Sequence, residues 1–432
     1  MTSSNSTSDI QNMDPSDVAA IGRLYFAYFG RIPEFEGLNY WADQYLSGMD
    51  LDEISARFYD SSEFRTLYDT PDNDAYIEVL YQNIFGRKAD TQGKEYWLNE
   101  RLEEGTSRER VLQEMSDSDE FRANSDVYFN TLHVNDDKWT FSPLPKALPT
   151  TNFEADTIVF KLDFENQAVG EYTKQELESD IGDNAHSVNI NGVTEIVGNA
   201  SNKELKITLS EGKVQNGLQF YKDLDNYQEL FLTYQIRFAN DFDFKIGKLP
   251  GLSGKPDSAN GEYVTNPSGT RYIGPDEGFS TRIMFREPNP ESESDSGDDK
   301  GYGESYIYHQ NNPNYTTPDK NANGESQAFS VQGHSVFLPK GETIQIDQYV
   351  KMNSVGQTDG VLRTWINGVE VLFLDEKIWS HSGLYGVNML MVDLWHGGSK
   401  DKADIYGPDH PSDLWVDNLA VSIAAITDGL VY

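Results

Sequence analysis

The chain has no cysteine, which excludes disulfide cross-links, thiol nucleophiles and cysteine-ligated metals. Positive charge is scarce: 34 Lys and Arg stand against 71 Asp and Glu, a formal charge of −37. That balance opposes nucleic acid and anionic membranes as partners, except through a local basic patch, and suits a soluble protein of salty or extracellular surroundings. No stretch approaches the ~20 apolar residues of a membrane-spanning helix. Met1 to Asp14 is rich in Ser, Thr and Asn and lacks the basic start and apolar core of a secretory signal. A secreted or cell-surface location, which the composition favours, then requires a signal already removed or a signal-independent route.

At 432 residues the chain exceeds one ordinary core, so two domains are expected. The first announces itself as an internal repeat. Phe29-Gly30-Arg31, Gly37 and Tyr40-Trp41 recur 56 positions later as Phe85-Gly86-Arg87, Gly93 and Tyr96-Trp97. After one inserted residue, Ser61-Ser62-Glu63-Phe64 aligns with Ser118-Asp119-Glu120-Phe121. Leu24, Tyr25, Tyr28 and Phe29, and again Val79, Leu80 and Ile84, fall at helical spacing, which predicts an all-α domain over about 15–130. The repeat resembles the bacterial family named domain of unknown function 4214, with its Gly-Arg, Tyr-Trp and Ser-x-Glu-Phe signature. The resemblance implies an accessory role, with surface or glycan attachment as the candidate activity.

Residues 131–152, with Pro143, Pro145 and Pro149, read as a linker, because closely spaced prolines cannot continue a helix. Beyond it, 153–432 consists of alternating runs such as Glu204 to Leu209, Glu229 to Ile236, Thr343 to Ile346 and Val361 to Ile366. Period-2 patterning bounded by Gly, Asn and Asp predicts an all-β jelly-roll sandwich. Asn367-Gly368, between two such runs, predicts a tight hairpin.

Candidate chemistry concentrates between Arg237 and Arg286, a near-neutral segment inside a strongly acidic chain. Asp241-Phe242-Asp243-Phe244 and Gly247-Lys248-Leu249-Pro250-Gly251-Leu252 come first. Ser280-Thr281-Arg282, Tyr306-Ile307-Tyr308, Leu394-Trp395-His396-Gly397-Gly398-Ser399 and Leu414 to Leu419 follow. In this order, over about Ile158 to Ser422, the blocks resemble polysaccharide lyase family 14, a group of alginate lyases that includes members acting on other uronates. The resemblance implies cleavage of a 4-linked uronate polymer by β-elimination, most simply alginate, with glucuronan or another uronan as the alternative, and it requires no cofactor. A non-catalytic glycan-binding sandwich is the competing class.

β-Elimination needs a neutralised carboxylate, a base for the C5 proton and an acid for the departing O4. By resemblance, Lys248, Ser280, Arg282, Tyr306 and Tyr308 are the cleft residues. The i, i+2 spacing of Ser280/Arg282 and of Tyr306/Tyr308 puts each pair on one face of its strand. Arg282 suits a carboxylate, since its planar fork donates two parallel bonds, and Ser280 adds a donor. Lys248 serves as base if burial or Arg282 lowers its pKa, with Tyr306 or Tyr308 as acid; a tyrosinate base with Lys248 neutralising charge is the permuted assignment. Lys245 and His396 are further candidates for contacting substrate. Glu287 to Glu304, rich in acids, is expected as a hydrophilic loop longer than the family's hairpin.

Overall fold

In the computed structural model, residues 10–425 are described apart from 257–275, 288–300, 313–323, 398–402 and breaks of one to three residues elsewhere. The chain divides into two compact units, Met1–Pro145 and Lys146–Tyr432.

The repeat signature turns out to be a packing device. Pro15–Phe29 is a helix because its apolar residues recur every three or four positions and Asp14 caps it, accepting a bond from Ser16 N at 2.9 Å. It buries Leu24, Tyr28 and Phe29, and Tyr28 meets Phe58 and Phe64 edge-on at 5.7 and 5.6 Å between ring centres. Arg31 lies over the Tyr25 ring at 5.0 Å and binds Glu63 at 2.7 Å as well as Glu34. Its counterpart Arg87 lies over Tyr81 at 5.3 Å and binds Glu120 at 3.1 Å and Asp90 at 3.2 Å. The Gly-Arg and Ser-x-Glu-Phe halves of the signature are therefore joined by one ion pair per unit, beside a buried phenylalanine, Phe64 or Phe121.

The two units differ where the sequence offset changes. Phe35–Leu46 is a regular α-helix, whereas the equivalent stretch is α over Thr91–Glu95 and π-helical over Tyr96–Leu102. Glu103 N reaches back five residues to Leu98 O at 2.9 Å, where Ser47 N reaches back four to Asp43 O. A wider turn absorbs one extra residue without shifting the helix's buried face, and one residue is what separates offset 56 from offset 57.

Part of the expected linker is structured. His133–Asn135 and Lys138–Thr140 form a hairpin whose Trp139 is buried, exchanging bonds with Asn39 and donating from Nε1 to Ile10 O at 2.6 Å. An isolated apolar residue in a polar segment gave no period to detect, and Pro143, Pro145 and Pro149 lie outside the described residues.

The second unit is a sandwich of two nine-stranded sheets among the described residues, whose paired strands run antiparallel. One sheet runs, from edge to edge, through strands starting at Val369, Gly360, Thr343, Glu229, Ser412, Asn202, Val193 and Gly170, with Ile158–Leu162 on the Ser412 strand. The other contains Glu325–Ala328, Gly301–Tyr308, Phe279–Arg286, Ile246–Leu249, Val387–His396, Leu218–Tyr227 and Ala185–Ile190 in that order. Alternation fills the space between the sheets: Leu230, Leu232, Ile344 and Ile346 from the first meet Leu249, Ile283, Phe285 and Leu394 from the second. Asn367 and Gly368 take φ of 51° and 81° between Gly360–Ile366 and Val369–Lys377, the primed two-residue turn their identity predicts. Among the described residues no helix is long and apolar enough to cross a membrane.

Candidate active site

Strand parity decides which side chains can meet. Thr281 faces the inter-sheet core, where its hydroxyl and carbonyl bond the buried Gln348 of the opposite sheet. Gln348 also accepts from Leu252 N at 2.9 Å. Ser280, Arg282, Met284 and Arg286 therefore face outward. Register carries the same face sideways: Ser280 opposes Tyr308, Arg282 opposes Tyr306, and Met284 opposes both Glu304 and Lys248. Lys248 in turn opposes Trp395, so Asp393 and Met391 share this face, as do Gln219 and Tyr221 opposite them.

The Lys248 block explains its own composition. Pro250 interrupts the ladder between Ile246–Leu249 and Gly251–Gly254, both of which pair with the Phe279–Arg286 strand. A Cβ on Gly251 would come within 2.6 Å of Arg282 Cα and Thr281 O, so only glycine lets the backbones approach this closely.

Arg282, Tyr308, Ser280, Glu304 and Asp393 point away from the core yet are all buried, which marks a recessed polar floor rather than an open sheet surface. Lys248, Tyr306 and Trp395 are partly exposed on it, as are Arg286 and Gln219. Lys248 Nζ lies 3.0 Å from Met284 Sδ and 4.4 Å from the centre of the Tyr306 ring. Burial, and then the nearby Arg282 charge, push the amine down to about 7, against the opposing pull of Asp393 and Glu304. Tyr306 and Tyr308 meet edge-on at 5.4 Å, and the Tyr306 hydroxyl accepts from Gly324 N at 2.9 Å, leaving its own proton to donate. The floor thus brings an amine poised to be neutral near physiological pH against a phenol, beside a fixed positive charge.

Five of the seven candidates, Lys248, Ser280, Arg282, Tyr306 and Tyr308, come together on this face. Arg282 differs from expectation in one respect. Its NH1 is committed to Asp393 at 2.6 Å and the residue is 3% exposed, while Nε has no hydrogen-bond partner, so the guanidinium is anchored from below rather than extended into open solvent. His396 is corrected more fully. It sits on the opposite parity, in the inter-sheet core, stacked on Phe242 at 5.6 Å and edge-on to Phe285. Its Nε2 donates to Asp243 O at 2.7 Å, and burial holds the ring neutral by depressing its pKa to about 4. Lys245 precedes the Lys248 strand and is ion-paired with Asp409 at 2.9 Å, outside the cluster.

Glu304, expected at the end of an acidic loop, lies within the strand Gly301–Tyr308, accepting from Arg286 at 3.3 Å and Ser326 at 3.2 Å. The acidic run from Glu291 to Asp299 lies outside the described residues, as do Gly398 and Ser399. Asp393, Tyr221 and Gln219 were not singled out by the sequence. The signal for Asp393 is a lone acid in the apolar run Met389 to Trp395. Among the described residues no group of three or more His, Asp or Glu gathers as metal ligands.

Residues 198–407 match the family model Polysaccharide lyase 14. Within the β-sandwich unit, residues 198–407 are a polysaccharide lyase 14 domain. Residues 55–125, from late in the first helical repeat to the end of the second, match Domain of unknown function (DUF4214). Among solved structures, alginate lyase Aly36B is 22% identical over 65% of this chain and 99% of its own, at TM-score 0.47. The marine PL-14 alginate lyase from Aplysia kurodai is 17% identical, over 61% and 98%, at 0.46. The endo-β-1,4-glucuronan lyase from the fungus Trichoderma reesei is 16% identical, over 63% and 98%, at 0.38. A sequence comparison with curated proteins gives no match. The polysaccharide lyase 14 match spans every one of the five clustered residues.

Proposed function

We propose that this protein cleaves alginate by β-elimination, with Lys248 as base and Tyr306 or Tyr308 as acid. The observation that carries the assignment is the Lys248 amine, depressed to about 7, held over Tyr306 on the floor of a lyase domain. Above pH 7 the amine is mostly neutral and takes the C5 proton. The C5–H electrons form the C4–C5 double bond, the C4–O4 bond breaks, and O4 receives a phenolic proton. Proton transfer from the Lys248 ammonium to the phenolate restores both groups. The Arg282 charge, buried and fixed, favours negative charge developing on the uronate without needing direct contact. A polymer of this kind is met outside the cytoplasm, so a secreted or surface location belongs to the same proposal.

Incubation with polymannuronate, polyguluronate and glucuronan should raise ultraviolet absorbance from the new double bond on at least one of them. The groups on the floor specify a carboxylate more firmly than a sugar epimer, which is why glucuronan belongs in the panel. Silence on all three, with polymer binding retained and unchanged in Lys248→Ala, would establish a glycan-binding module instead.

A further inference from the structure

Beneath Lys248 lies an ion pair to whose acidic member, Asp393, the chemistry above assigns no task. Asp393 is fully buried and receives Arg282 NH1 at 2.6 Å, Gln219 Nε2 at 2.9 Å and the Tyr221 hydroxyl at 3.3 Å. Gln219 also donates to the Tyr221 oxygen at 2.8 Å, closing a ring of bonds across the strands Val387–His396 and Leu218–Tyr227, to which Arg282 on Phe279–Arg286 is joined. Three donors converge on one carboxylate whose strand is otherwise apolar from Met389 to Leu394. Burying two charges beneath a sheet surface costs several kcal/mol per ion after relaxation, and apolar residues of similar volume often replace such pairs without loss. Stability alone does not account for this pair.

We infer that Asp393 is a positioning residue of the lyase site: it fixes the Arg282 guanidinium beneath Lys248 and offsets part of its charge at the base. The inference rests on the proposed lyase reading for its catalytic meaning, but its geometry does not. Among the described residues, the charged and titratable groups facing Lys248 are few. Arg282 comes from one flanking strand, and Glu304 and Tyr306 from the next, with Arg286 already tied to Glu304. Asp393 comes from the other flanking strand, with Tyr221 behind it. Arg282 pushes the amine's pKa down and Asp393 pulls it up, with Arg282 the stronger. Asp393 thus keeps the push from becoming extreme, and by anchoring NH1 keeps it constant.

The test uses the full-length protein labelled with 13Cε-lysine, the Lys248 resonance being assigned by its absence in Lys248→Met. Asp393→Asn removes the pull and leaves the push. The Lys248 midpoint should fall by about one pH unit, the scale of a single nearby charge, and Asp393→Glu should restore it. The acid limb of kcat/KM should move down in parallel, with kcat falling at least tenfold and KM changing less than twofold. A folded Asp393→Asn protein whose Lys248 midpoint and acid limb stay in place overturns the inference. Should that variant not fold, Arg282→Gln/Asp393→Asn leaves no unpaired buried charge. Its Lys248 midpoint must lie below that of Arg282→Gln alone, which keeps the Asp393 pull, and equal midpoints again overturn the inference. A wild-type protein inactive on every uronan would refute the lyase reading, while the titration still decides the role of Asp393.

Discussion

If Lys248 is held near neutrality for chemistry, its presence should cost the fold stability, and removing it should repay that cost in a defined pH window. The substitution is Lys248→Met, which keeps the length of the stem and deletes the charge. The folded amine sits at about 7 against an ordinary value of 10.5. At ~1.4 kcal/mol per pH unit, that gap sets a ceiling of ~5 kcal/mol. The side chain is only partly buried, so solvent screening reduces the realised effect to ~1–3 kcal/mol. A depressed lysine favours the fold fully above 10.5, and this contribution is lost as pH falls through 7, because the unfolded chain binds the proton more readily. Lys248→Met should therefore be more stable than wild type at pH 6 and indistinguishable at pH 11. Urea unfolding at a series of pH values measures the difference directly. The same variant should lose uronan cleavage altogether. A pH-independent difference, or a variant less stable at pH 6, would refute the claim that the site strains this amine.

Asp417 is the converse case: burial, reinforced by Glu165, Glu204 and Asp163, raises its carboxyl to about 7 from 3.8, so stability falls as pH rises through that window. Asp417→Asn should stabilise by ~1–3 kcal/mol at pH 8 and not at pH 4, read from urea midpoints. His396→Phe should cost ~1–2 kcal/mol at pH 8, because Asp243 O loses its donor. That deficit should shrink as pH falls from 6.5 toward 4, where wild type pays to charge a buried imidazole, and catalytic constants should be unaltered at pH 8. In the helical unit, Arg31→Ala should cost ~1 kcal/mol and Arg87→Ala less, since Arg87 is 44% exposed against 30% for Arg31. Thermal melts of the full chain followed by helical circular dichroism test that order.

The architecture was legible wherever period and turn chemistry agreed. Tyr28 and Phe29 fixed a helix face, and Asn367-Gly368 fixed a hairpin, because each acts through its own backbone neighbourhood. The repeat was legible as letters, but its purpose was not. That Arg31 reaches Glu63 and Arg87 reaches Glu120 depends on how three helices fold back on one another, which no local pattern encodes. Nor did the offset change at 56 to 57 reveal that Tyr96–Leu102 widens into a π turn, since an insertion is as readily placed in a loop. Trp139 was missed for a related reason: its partners Asn39 and Ile10 are about a hundred or more residues away, and its own segment is too short to show alternation.

The site was legible in its faces and less so in its charges. The i, i+2 rule put Ser280 with Arg282 and Tyr306 with Tyr308, and antiparallel register then placed those pairs opposite one another. The same rule, applied to the block Leu394-Trp395-His396, separates Trp395 from His396, and Trp395 is the one aligned with Lys248. His396 was singled out for its chemistry, but parity sends it into the core, where stacking on Phe242 outweighs any use of its proton. Arg282 shows the opposite bias. A guanidinium in a lyase motif suggests a hand extended to substrate, yet a buried arginine in a low-dielectric floor requires a counter-charge before any substrate arrives. That requirement was readable in principle, because an aspartate alone within Met389 to Trp395 has to be paired with something, and the unmatched cation two strands away is Arg282.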